Sequence, residues 1–127
     1  MTAALSERFP CVVPISVDGS SWANAGASDS QELGTVLATG VMWIRALTEA
    51  GIDINNISGK IEFTLSAGPD QFLTTAKIRA ARVCWARILQ ACGGDPSLSP
   101  LFIHAETSQS MMTKTDSWVN MLRTTTS

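Results

Sequence analysis

The sequence predicts an α/β protein made of three consecutive βα units with parallel strands. Three observations carry that prediction. Short runs rich in Val, Ile and Phe recur three times, and longer segments with a 3.6-residue apolar period follow them. Gly, Pro and Asp cluster at the junctions, where the chain must turn. The length of 127 residues fits one domain, residues 1–127, and not two.

The first strand is expected over Cys11 to Val17, broken by Pro14 and closed by Asp18-Gly19. A helix then runs from Gln31 to Ala50, with Leu33, Val36, Leu37, Val41, Ile44 and Leu47 on one face. Ser28 and Gln31 form a capping box at its start, and Gly51 stops it. Lys60 to Ala67 is the second strand, punctuated by Gly68-Pro69-Asp70. The second long helix spans Gln71 to about Ala91, with Ile78, Ala81, Trp85, Ile88 and Cys92 as its stripe and Gly93-Gly94 as its end. Leu101 to Ala105 is the third strand. Asp116 is placed to cap a final helix of two or three turns containing Trp118, Val119, Met121 and Leu122.

Composition narrows the function. Only 16% of residues are charged, against about 25% in an average domain, so part of the surface is expected to be covered by something else. A net charge of -2 offers no basic field for nucleic acid or an acidic membrane. No apolar run reaches the roughly 18 residues of a membrane span, and no secretory signal is legible. Cys84 and Cys92 lie eight positions apart on one helix, about 12 Å at 1.5 Å per residue. A disulfide spans at most about 7 Å, so with Cys11 they read as buried thiols of a reducing, cytoplasmic setting.

In sheets of this kind the loops after the strands' C-terminal ends form the ligand site; here these are Gly19 to Ala27, Gly68 to Asp70 and Glu106 to Thr115. His104, the only histidine, is expected at the end of the third strand beside Glu106, as a hydrogen-bond donor or a packed side chain. One histidine without matching ligand spacing supplies too few donors for a metal site. Neither nucleotide-binding glycine motif occurs. Lys77, Arg79, Arg82 and Arg87 wind around the second helix as a solvated or interface face, and Met111-Met112 reads as loop packing. On residues alone, the chain shows a polar mouth without a reaction.

A specific likeness covers Phe9 to Thr126. Asp18 to Gly34 (DGSSWANAGASDSQELG), Ile61-Glu62-Phe63, Asp70-Gln71-Phe72 and Ala76-Lys77-Ile78-Arg79-Ala80-Ala81-Arg82 with Trp85-Ala86-Arg87 resemble the barrel domain of the methylmalonyl-CoA mutase family. So do His104, Thr107-Ser108, Met111-Met112-Thr113, Asp116, Trp118-Val119-Asn120 and Leu122-Arg123-Thr124-Thr125. The resemblance implies a partial slice of a TIM (β/α)₈ barrel, which in this family encloses an acyl-CoA thioester. It implies an isomerase of methylmalonyl-CoA and succinyl-CoA. Adenosylcobalamin is then the cofactor of the full enzyme and is held by a D-x-H-x-x-G segment that this chain does not contain.

Departures from the family pattern point to its small, non-catalytic subunit. The family's Tyr-His pair is replaced by Ser20 and Ser21, and Phe102 stands where an Arg would hold CoA. The family's Asp-Pro-aromatic helix start reads Asp116-Ser117-Trp118. No catalytic residue is therefore expected, and Ser21, His104, Glu106, Thr107 and Ser108 remain as substrate-mouth residues. The resemblance places Ala3 to Arg8 at the end of a preceding barrel helix and makes the chain a fragment, since a closed barrel takes about 250 residues. The expected partner is the catalytic large subunit. The alternative is a self-associating α/β protein, a homo-oligomer joined through its sheet edges and without enzymatic activity.

Overall fold

The computed structural model describes residues 9, 12–98 and 101–126. Its elements run β1 (Ile15–Asp18), α1 (Ser20–Asn24), α2 (Asp29–Glu49), α3 (Ile54–Ile57), β2 (Ile61–Ala67), α4 (Gln71–Ala91), β3 (Phe102–Thr107) and α5 (Ser117–Thr126). Short 3₁₀ turns occupy Ser58–Lys60, Pro96–Leu98 and Gln109–Met111. The three strands form one parallel sheet in the order β1-β2-β3, as three successive βα units require.

Helix α4 has the predicted boundaries, while α2 starts two residues earlier than expected, at Asp29, and ends one earlier, at Glu49; the ends of both are chemically determined. Ser28 Oγ accepts from the Gln31 N–H while Gln31 Oε1 accepts from the Ser28 N–H, closing the capping box of α2. Asp70 Oδ1 accepts from Leu73 N and caps α4. Gly51 and Gly93 adopt φ of 82° and 85°, and the following Ile52 and Gly94 donate back to the Leu47 and Leu89 carbonyls. Each helix thus ends on a glycine in the left-handed region that a side chain would disfavour.

Strand alternation sorts the sheet into two faces. Ile15, Val17, Ile61, Phe63 and Leu65 are buried against the helices. The Phe63 ring meets Trp85 of α4 edge-on, with centroids 4.9 Å apart. Val36, Ile44 and Leu47 of α2 and Ala81, Trp85 and Leu89 of α4 complete this core. On the other face Ser16, Phe102, His104 and Glu106 are exposed, and Glu62 and Thr64 are half-buried.

Several expectations need correction. The first strand begins at Ile15, after Pro14 has interrupted the ladder; Cys11 and the segment Ala3 to Arg8 lie outside the described residues. Gly19 to Ala27 is not a plain loop but holds α1, and Glu106 and Thr107 belong to β3. The stripe of α4 ends on Leu89 rather than Cys92, which caps the helix and is exposed, while Cys84 is half-buried. Neither thiol is a fully buried hydrophobe. Among the described residues no helix is long and apolar enough to cross a membrane.

Candidate functional site

The C-terminal ends of the strands gather most of the polar side chains that the core cannot use. At the end of β1, the Asp18 carboxylate accepts from Ser20 N at 2.8 Å, Ser20 Oγ at 2.7 Å and Ser21 Oγ at 3.1 Å. The Ser20 hydroxyl above all holds Asp18 below the usual carboxylate range, against an upward push from burial, with the Ser20 N–H and Ser21 assisting to a lesser degree. Gly19 allows this turn to lie flat on the sheet. Its N–H donates to the Thr64 carbonyl at 2.9 Å, and a Cβ there would stand 2.6 Å from Val36 Cγ2.

Beside this turn lies a buried ionic cluster that joins α2, β2 and α4. Lys77 Nζ is 2.6 Å from Asp29 Oδ1, 2.6 Å from Glu32 Oε2 and 2.9 Å from Ser66 Oγ. Glu32 accepts in addition from Ser66 N and Ser66 Oγ, each at 2.7 Å. All three ammonium donors and both Glu32 oxygens are therefore engaged. The reading of Lys77 as a solvated or interface cation is overturned: its side chain is 2% exposed. The missed residues were findable, since Glu32 and Lys77 sit four positions before Val36 and Ala81 on the two apolar stripes and carry opposite charge.

After β3 the chain folds back towards α1. Ser108 N donates to the Ala67 carbonyl at 2.8 Å, and Gln109 N donates to Asn24 Oδ1 at 3.0 Å. Met111 is buried and Met112 half-buried, as loop packing requires. Thr113 and Asn120 exchange two hydrogen bonds of 2.8 Å, and the Arg123 guanidinium donates to the Met111 carbonyl, tying α5 to this loop.

The expected mouth residues do not converge. His104 is the third residue of β3, not its end, because the strand continues through Glu106 and Thr107. Register puts Asp18, Thr64 and His104 in one row. The outer two members are two strand spacings apart, roughly 10 Å. The His104 imidazole has no hydrogen-bond partner among the described residues. Ser21 and Glu106 are exposed, Thr107 is half-buried, and Ser108 is buried with its hydroxyl on Ser110. Phe102, 52% exposed, lies opposite Glu62 on the open face. The serine hydroxyls meet a carboxylate whose lowered pKa makes it a weak base, and among the described residues no three His, Cys, Asp or Glu side chains could hold a metal ion. What the site offers is hydroxyl donors, one carboxylate held ionised and one imidazole.

The sequence profile described as methylmalonyl-CoA mutase matches residues 1–127. The chain is 48% identical to the methylmalonyl-CoA mutase small subunit of Streptomyces virginiae over 119 residues, covering 94% of this chain and 19% of that protein. It is 40% identical to the small subunit of Propionibacterium freudenreichii subsp. shermanii, with the same coverage of both chains. Against the large subunit of Porphyromonas gingivalis it is 33% identical, over 94% of this chain and 17% of that protein. The chain thus spans about a fifth of the length of the curated relatives it matches. By the profile match and these identities, the chain belongs to the methylmalonyl-CoA mutase family.

Proposed function

We propose that residues 1–127 form part of the (β/α)₈ barrel of a mutase small subunit and act by packing against a catalytic large subunit rather than by isomerising the thioester. The Asp18 turn carries this reading. The two positions that would need an aromatic wall and an imidazole donor hold serines, and both hydroxyls donate to Asp18 instead of facing a substrate carbonyl. Phe102 adds an uncharged side chain where a CoA phosphate would require a guanidinium. Ser21, His104, Glu106 and Thr107, which do not converge, then keep weak thioester affinity at most, and Ser108 is buried on Ser110.

Adenosylcobalamin does not fit the residues present. A metal-bound imidazole is normally oriented through a hydrogen bond to its second nitrogen, and His104 has no such partner among the described residues. In the full enzyme the cofactor would be held elsewhere.

Size-exclusion chromatography with purified large subunit tests the reading. Co-elution is expected, with no succinyl-CoA formed from methylmalonyl-CoA by this chain and adenosylcobalamin alone. Turnover by the chain alone would overturn the assignment. The outer edges of β1 and β3 and the exposed Phe102 favour a second reading, self-association through the sheet edges. A stable monomer in sedimentation would count against it.

A further inference from the structure

The outer face of α4 differs from an ordinary solvated helix. Four of the chain's nine basic residues lie on α4, and no acidic residue does, although the whole chain is net -2. Lys77 is turned inward and neutralised. Arg79, Arg82 and Arg87 are exposed, and among the described residues no carboxylate pairs with them. A helix that only meets water usually interleaves acids with its bases at i,i+4 spacing, where opposite charges support the helix.

Large apolar side chains share this face. Phe72 is 86% exposed and Val83 64%, and Leu73 borders a shallow cleft of about 220 Å³ between α2 and α4. At 100° per residue, Phe72, Arg79 and Val83 fall on one line, directed away from the Ala81 and Trp85 side that packs on the sheet. More barrel strands would not cover them. Helices form the outer ring of a (β/α)₈ barrel, so completing it would bury Phe102 and the open sheet face, whereas this side of α4 points outward from the ring. Exposed aromatics beside arginines are the composition of protein interfaces.

We propose that this face of α4 is the surface that receives the large subunit, through a region of that subunit bearing carboxylates around an apolar side chain. The proposal rests on the small-subunit reading above and names its contact. Charge selects the occupant: three guanidinium forks that no carboxylate among the described residues neutralises, Arg87 donating only to the neutral Gln90 amide, fit carboxylates bidentately, and a second copy of this acid-free helix face would meet them with like charge.

The test compares wild-type chain, R79E/R82E/R87E, F72S/V83S and, as a control on the sheet face, F102S, each titrated with the large subunit from the same organism. All are exposed positions, and circular dichroism checks that each variant folds. Both α4 variants should bind roughly tenfold or more weakly, with F102S unchanged. Wild-type affinity should also fall as salt rises from about 0.1 M to 1 M, which holds even if a variant fails to fold. Wild-type binding that neither variant nor salt weakens overturns this surface and leaves the subunit reading standing. No wild-type binding overturns both. A homodimer abolished by the same substitutions assigns the face to a second copy and also overturns the proposal.

Discussion

Lys77 is where burial and charge conflict most directly. Removing an ammonium and a carboxylate from water costs several kcal/mol per ion, and their attraction offsets this only when the remaining donors and acceptors are satisfied. They are satisfied here by Asp29, Glu32 and Ser66. Lys77→Met leaves Glu32, itself fully buried, without a counter-charge. Its unfolding free energy in urea should fall by roughly 3–5 kcal/mol. Adding Glu32→Leu should recover most of that loss, because an apolar replacement of both partners is often close to neutral. A single-variant loss under about 1 kcal/mol would show that the cluster does not hold the helices over Ser66. Apolar periodicity conceals this cluster, since it scores Lys77 as one more polar position and the partners lie 45 and 11 residues away in sequence. For the same reason the candidate site was legible residue by residue but not as an arrangement. Ser20, Ser21 and His104 can be read from motif positions, whereas Asp18 taking both serine hydroxyls, and His104 sitting mid-strand, depend on turn and register geometry.

At the level of elements, α2, β2 and α4 were legible because long periods and caps agree there, and the short pieces were not. Helix α1 has five residues, too few for a 3.6-residue period to show, and Val12 to Pro14, expected in β1, lie outside it. Two glycines within α2 show how packing divides one helix into unlike positions. A Cβ at Gly40 would stand 2.7 Å from Trp85 Cζ3 and 3.0 Å from Phe63 Cζ, two rings already locked edge-to-face. At Gly34 a Cβ meets nothing within 4 Å. Gly34→Ala should therefore stabilise by roughly 0.5–1 kcal/mol, through the helix preference of alanine and the lost freedom of the unfolded glycine. Gly40→Ala should destabilise by roughly 1–3 kcal/mol, because neither ring can retreat without opening the core. Denaturant midpoints of the two variants, measured together, decide the matter: shifts of the same sign would mean that backbone preference and not the Trp85–Phe63 contact governs the middle of α2.

Across the whole molecule, stability should fall away from β2. This strand is hydrogen-bonded on both sides, and Ile61, Phe63 and Leu65 have no exposed surface. Helix α5 is the opposite case: none of its residues is buried, Trp118, Met121 and Leu122 face outward, and its ties to the body include the Asn120–Thr113 pair and the Arg123 contact to Met111. A helix of ten residues is too short to persist on propensity alone, so α5 depends on those polar ties. Native-state hydrogen exchange should then show amides of Ile61–Leu65 exchanging only through global unfolding and those of Ser117–Thr126 through local opening at far lower free energy. Strand β3 should fall between them, paired on one side and mostly exposed. Substituting Asn120→Ala removes both of its hydrogen bonds to Thr113 and should speed exchange in α5 without changing that of β2. If Ser117–Thr126 instead exchanged as slowly as Ile61–Leu65, α5 would have to be docked by its apolar face, and the outward Trp118 and Leu122 would need a partner within the chain itself.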